Sequence, residues 1–240
     1  MGMEGLMLCK ISDLCVEVPS AGGMAPRCKD YIFDGNAKPD IVIDEAKYNL
    51  ERWPGCSGDV AVYMESGWHF YARLVNFCGL MLHASAVEYN GLAYLFSGPS
   101  GIGKSTAANI FCGEYSGARI FNDDKPAIRF TDGAWYAYGT PWCGKAGINI
   151  NTRVRIGGIF FLRRGEKNEI KRLSVPMAVA AIMSQTIKGG IPKEKLDMLA
   201  ETIARLVSDV PVFEQIKLPN AEAAKQAYNA VFLAEEKNEG

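Results

Sequence analysis

The sequence predicts an α/β protein with a mixed sheet, in which an antiparallel hairpin feeds a glycine-rich phosphate-binding loop and helices flank the strands. Three observations carry this. Gly98-Pro99-Ser100-Gly101-Ile102-Gly103-Lys104-Ser105 fits the pattern Gly-x-x-x-x-Gly-Lys-[Ser/Thr]. The run before it, Leu92-Ala93-Tyr94-Leu95-Phe96, follows another apolar run across Asn90-Gly91, a strong signal for a tight hairpin. The last third is mainly helical in its periodicity, around one late strand.

Taken in order, residues up to about 65 alternate short apolar runs with turn signals. Leu6-Met7-Leu8-Cys9-Lys10-Ile11 and Leu14-Cys15-Val16-Glu17-Val18 read as strands, with shorter candidates at Tyr31-Ile32-Phe33 and Ile41-Val42-Ile43. Trp68, Tyr71, Val75 and Cys78 fall at helical spacing, so 68–77 reads as a helix. A boundary follows from these readings: a β-rich part over 1–66 and a core over 67–240. Within the core, Leu82-His83-Ala84-Ser85-Ala86-Val87 reads as the first arm of the hairpin, and 105–111 as the helix after the loop. Ala118-Arg119-Ile120-Phe121 reads as a short strand ending on Asn122-Asp123-Asp124. Strands over 127–130 and 134–138 flank the turn Thr131-Asp132-Gly133, and residues 139–147 form a glycine-rich loop. Residues 156–162 read as a buried strand. Ser174 caps a helix with Pro176 in its first turn, 193–208 is amphipathic, 212–218 is the late strand and 221–233 the last helix.

Composition narrows the function. The chain has 240 residues, 48% hydrophobic and 22% charged, with a net charge of -1. That is ordinary globular usage, with no general attraction for nucleic acid or for an acidic membrane surface. No apolar run approaches the length of a membrane span. The start, Met1-Gly2-Met3-Glu4-Gly5, lacks the features of a secretory signal, and Leu6 breaks the myristoylation pattern. The seven cysteines form no Cys-x-x-Cys pair and no cluster with histidine. They suit a reducing compartment and small apolar roles, and a cytoplasmic location is expected.

The glycine-rich pattern has a physical logic. Glycines let backbone N–H groups approach phosphate oxygens, and the following helix offers its positive end. Gly98, Ser100, Gly101, Gly103, Lys104, Ser105 and Thr106 are therefore the candidate nucleotide-binding residues. Lys104 is placed to reach the terminal phosphates and the Ser105 hydroxyl to ligate magnesium, so ATP and Mg2+ are the expected cofactors. In an ordinary protein of this class the strand before the loop lies in a parallel sheet, whereas here its hairpin partner must be antiparallel. A carboxylate pair at a strand end facing the loop can serve both a metal and an acceptor hydroxyl. Asp123 and Asp124 are that pair.

With the Leu82-His83 strand one hairpin upstream, the glycine-rich loop, and Asn122-Asp123-Asp124 one helix downstream, the chain resembles the HPr kinase/phosphorylase family, whose catalytic domain is related to phosphoenolpyruvate carboxykinase. The resemblance implies the fold of that catalytic domain and ATP-dependent phosphorylation of a hydroxyl. It implies Asp124 as general base, Asp123 supporting the metal or orienting its neighbour, and His83 hydrogen-bonding near the transferred phosphate or the acceptor. It also allows a homo-oligomer. The acidic, glycine-rich segment that the family carries after the double Asp is replaced here by Gly139-Thr140-Pro141-Trp142-Cys143-Gly144-Lys145, which has no carboxylate. A group of small HPr-kinase-like proteins matches this loop better. Some of them accompany peptide-modification systems, so the acceptor could be a serine or threonine of a peptide, a protein, or a small metabolite. Trp142 and Lys145 are candidates to touch a base, an acceptor or a phosphate. Arg153, Arg155, Arg163 and Arg164 could include one that steadies transition-state charge, although such residues more often lie on solvated faces, and His69 reads as structural. Two other classes stay open: a nucleotide-binding regulatory protein without phosphotransfer, and a carboxykinase-like enzyme acting on an oxoacid.

Overall fold

The computed structural model describes residues 5–236, so the expectations about the first four residues lie outside it. The chain opens with β1 (Leu6–Ile11) and β2 (Leu14–Pro19), paired antiparallel, and then a short helix, α1 (Met24–Cys28). The strand expected at residues 31–33 is instead a tight helical turn over Lys29–Tyr31, with one isolated bridge from Ile32 to Cys9. Only Ile41–Val42, β3, joins the first sheet, parallel to β2. Helix α2 runs over Gly58–Leu74, earlier than its periodicity predicts. Its first turns lie behind the breaker-rich stretch Trp53-Pro54-Gly55-Cys56-Ser57-Gly58, which hides the start.

A second sheet follows: β4 (Gly79–Met81), β5 (Ala84–Tyr89), β6 (Leu92–Ser97), β7 (Arg119–Asn122), β8 (Ala127–Thr131), β9 (Ala134–Tyr138), β10 (Arg153–Arg164), β11 (Glu169–Arg172) and β12 (Val212–Lys217). The helices are α3 (Lys104–Glu114), α4 (Val175–Ser184), α5 (Leu196–Asp209) and α6 (Ala221–Glu236). The strand order is β4-β8-β9-β10-β6-β5-β7, with β12 beside the far half of β10 and β11 beside β12. The sheet is mixed, as expected: β10 is parallel to both β6 and β12, and the other pairs are antiparallel. β5 and β6 meet across Asn90 and Gly91, both at positive φ (51° and 75°), the geometry that the Asn-Gly pair predicts.

Alternation along the central strands sends side chains to two cores. Ala84, Ala86, Leu95, Ile159 and Phe161 face α4 and α5, while Val87, Tyr94, Phe96, Phe160 and Leu162 face α3 and α6. Two expected features shift. Leu82 and His83 lie between β4 and β5 rather than in a strand, because their amides donate to Pro126 and Gln185 carbonyls. Ser174 stands at the start of α4 without a side-chain cap. The boundary expected between residues 66 and 67 falls inside α2. A third buried cluster joins Cys9, Ile11, Val16 and Tyr31 to Phe70, Tyr138 and Trp142, so the first sheet shares a core with the second. Among the described residues no helix is long and apolar enough to cross a membrane.

Candidate functional site

β6 ends at Ser97, and α3 begins at Lys104 with the Ala107 amide donating to the Gly103 carbonyl. The amides of Lys104, Ser105 and Thr106 therefore precede the first intrahelical bond and have no acceptor within the helix. Gly103 holds φ at +100°, which an L side chain adopts only with strain, and that turn brings the helix start round to the cleft. Above it lies an open cleft of about 800 Å³. Ser100, Gly101, Gly103, Lys104, Ser105 and Thr106 form one wall, and His83, Asp123, Asp124, Gly144, Lys145 and Ala146 the other. Every residue expected at the site lines this cleft except Gly98 and Trp142. Gly98 acts from below, its carbonyl accepting from Lys104 Nζ at 3.0 Å.

Lys104 is buried and curls over the loop, with a second bond to the Pro99 carbonyl at 3.3 Å. Burial lowers its pKa, against the pull of the Asp124 charge. His83 Nε2 lies 3.0 Å from Asp124 Oδ1, and Lys125 Nζ bonds Oδ2. Burial alone would raise the Asp124 pKa. The His83 hydrogen bond, the Lys125 charge and the Lys125 hydrogen bond outweigh it and hold the carboxyl well below the usual range.

The neighbouring carboxylate does different work. Asp123 Oδ1 accepts from the Gly144 amide at 2.6 Å and Oδ2 from the Ala146 amide at 3.0 Å. It anchors the 139–147 loop, and a Cβ on Gly144 would stand 2.8 Å from Asp123 Oδ2. Asn122 sets the pair up: its Oδ1 accepts from the Asp124 and Lys125 amides, and its Nδ2 donates to the Thr140 and Trp142 carbonyls.

Trp142 corrects an expectation. It is fully buried and points away from the cleft, stacked on Phe70 at 4.9 Å with its Nε1 donating to Ser66 Oγ at 2.9 Å. Gly67 of α2 leaves the room that the indole fills, a Cβ there falling 2.8 Å from the ring. Lys145 stays exposed at the cleft.

Three further cations stand near the site; of these the sequence singles out only Arg164, as one of four arginines that could steady charge. Lys125 sits on Asp124, as above. Arg164 donates to the Gly101 carbonyl at 2.7 Å. Lys217, at the end of β12, is 9% exposed and has no acceptor among the described residues. Its Nζ stands 3.4 Å from where a Gly103 Cβ would be. Burial, then the Arg164 charge, lowers its pKa. No local signal marks Lys217, because only the pairing of β12 with β10 carries it to the loop.

Magnesium can be tested against these donors. In phosphoryl-transfer sites Mg2+ takes one or two carboxylates, with phosphate and water oxygens completing its shell. No group of three or more His, Cys, Asp or Glu gathers among the described residues, so a dedicated protein cage is absent. The exposed Ser105 hydroxyl and the Asp124 carboxylate across the cleft do fit the sparser arrangement, and Asp123 keeps lone pairs beyond its two amide bonds.

Comparison with known proteins gives a family. The family model described as SynChlorMet cassette protein ScmC matches residues 60–214, well over half of the chain. No curated protein matches. Among solved structures, the HPr(Ser) kinase/phosphatase from Coxiella burnetii aligns at 12% identity with a TM-score of 0.42, over 67% of this chain and 93% of that one.

Proposed function

We propose that this chain, which belongs to the SynChlorMet cassette protein ScmC family, is an ATP-dependent kinase that phosphorylates a hydroxyl on a peptide, a protein or a small metabolite. The observation that carries the reading is one cleft lined both by a glycine-rich loop with the helix-start amides of α3 and by a histidine-bound aspartate. The α3 amides and Lys104 receive phosphate oxygens, and Arg164 and Lys217 add positive charge behind the loop. Asp124 accepts the hydrogen bond of the acceptor hydroxyl and orients its oxygen toward the terminal phosphorus. As that oxygen bonds to phosphorus and the bond to the leaving diphosphate breaks, its proton becomes acidic and passes to the Asp124 carboxylate. A strongly depressed pKa suits a late transfer of this kind. His83 fixes the carboxylate from one side and Lys125 from the other, so the base is oriented before an acceptor arrives. Magnesium, held by Ser105 with Asp124 or Asp123, would neutralise phosphate charge.

The test is acceptor-dependent ADP formation by purified protein with magnesium, using peptides or extracts from its own host. Asp124→Asn is expected to lower turnover by about 10²–10⁴-fold, the range for a positioned acid–base group, with ATP affinity largely kept. Lys104→Ala is expected to lose ATP affinity. ATP binding that no acceptor stimulates, with a biological role surviving Asp124→Asn but not Lys104→Ala, would move the protein to the regulatory class.

A further inference from the structure

A second cleft, of about 680 Å³, opens between β3, the outer face of α2 and the segment 190–195. It shares no lining residue with the cleft already described. Lys47, Arg52, Arg73 and Lys195 line it; Lys47 is paired with Asp44 at 3.2 Å and Arg52 with Glu65, and the one carboxylate in the lining, Asp40, already accepts from the Cys15 amide at 2.9 Å through Oδ2. The positive charge left without a carboxylate partner among the described residues is that of Arg73 and Lys195.

The arginines are held in place. Arg52 Nη1 lies 3.2 Å from Glu65 Oε1, and its guanidinium stacks 4.4 Å from the Trp68 ring. Glu65 is fully buried and also accepts from Asn49 N at 2.9 Å and Trp53 Nε1 at 2.7 Å. Burying a carboxylate is costly unless its partners compensate, and two of the partners it orders, Arg52 and His69, line the cleft. Arg73 Nη1 donates to the His69 carbonyl at 2.8 Å and meets His69 Nδ1 at 3.1 Å. Burial and the Arg73 charge lower the His69 pKa against the pull of the Glu65 carboxylate, which lies 3.6 Å from His69 Nε2. Lys195 Nζ likewise has a neutral partner, Asn76 Oδ1 at 2.7 Å. Among the described residues neither Arg73 nor Lys195 pairs with a carboxylate.

The same cleft has apolar surface in Val42, Trp68, Phe77 and Pro192. Val42 belongs to β3, an edge strand of the first sheet, and is 45% exposed. Edge strands accept extended peptides, and a volume in the range of about 300–1,000 Å³ suits a ligand far larger than one inorganic anion. We propose that this cleft binds an acidic peptide segment in extended form along β3, its carboxylates on Arg73 and Lys195 and its apolar side chains against Trp68 and Phe77. The proposal does not depend on the nucleotide reading of the other cleft.

The probe is a short fluorescein-labelled peptide of alternating Glu and Val, followed by anisotropy, with a Lys-for-Glu peptide and inorganic phosphate as comparisons. The Glu peptide is expected to bind, to weaken with salt, and to lose about tenfold or more in affinity to the Arg73→Gln, Lys195→Gln double variant. Lys195→Gln alone keeps the Arg73 bonds to His69 and is expected to lose about threefold. ATP affinity and the thermal midpoint should not change in either variant. Absence of Glu-peptide binding would overturn the proposal. Equal binding by the double variant, equal binding of the Lys peptide, or tight binding of phosphate with none of peptide would do so as well.

Discussion

The loops over 98–103 and 139–147 border the same cleft and are both rich in glycine, yet they are built in opposite ways. In the first, the glycines keep side chains out of the cleft and the amides at the start of α3 remain available to a ligand. In the second, the polar groups are bound within the protein: the Gly144 and Ala146 amides on Asp123, the Cys143 amide on Tyr63 Oη at 2.7 Å, and the Trp142 carbonyl on Asn122. Its tryptophan serves as a core side chain. Glycine content alone therefore says little about ligand binding. What matters is whether the backbone donors that glycine exposes find acceptors inside the protein.

Trp142→Ala is the strongest way to break this comparison. Removing a buried indole that stacks on Phe70 is expected to lower stability by about 3–5 kcal/mol in urea denaturation. ATP affinity should be unchanged at a temperature where the variant is folded. Lost affinity at full stability would mean that the second loop works like the first, with its tryptophan facing ligand.

Trp142 also shows where the sequence stops being readable. A tryptophan between glycines looks the same whether it faces a ligand or a core, and the deciding residue, Gly67, lies on a distant helix. The glycine-rich loop could be read because its parts are contiguous: strand, turn and helix follow within one stretch, and the Asn90-Gly91 hairpin fixes the strand direction. The Asp pair could be found but its division of labour could not. Which carboxylate meets the loop amides and which meets His83 depends on how Asn122 turns the chain. α2 was half legible, because its second half shows helical spacing while its start is masked by Pro54, Gly55 and Gly58.

Gly144→Ala sharpens the comparison from the other side. The added methyl would sit 2.8 Å from Asp123 Oδ2, so either the carboxylate or the loop must move, at a cost of about 1–3 kcal/mol. Gly101→Ala meets no atom within 4 Å, and only its left-handed backbone (φ +77°) opposes it, at roughly 1–2 kcal/mol. Thermal midpoints of the two variants rank close packing against backbone conformation. A midpoint for Gly144→Ala equal to wild type would show that the Asp123 anchor does not hold the loop.

The smallest expected effect is the most specific to the first loop. Lys217 is a buried ammonium with no acceptor among the described residues, next to Gly103 and to the Arg164 that bonds Gly101. A charge in that position destabilises the protein until an anion arrives, so stability and binding should move in opposite directions when it is removed. Lys217→Met keeps the length of the side chain and deletes the charge. The ligand-free variant is expected to melt at the same temperature as wild type or higher, while ATP affinity falls about five- to tenfold, roughly 1–1.4 kcal/mol. Calorimetry with ATP and a thermal scan without it measure the two halves separately. A lower midpoint with unchanged affinity would make Lys217 a packing residue and remove it from the phosphate wall. The predicted opposition would place it, with the α3 amides, among the groups left without an acceptor inside the protein, unlike the Cys143, Gly144 and Ala146 amides of the second loop.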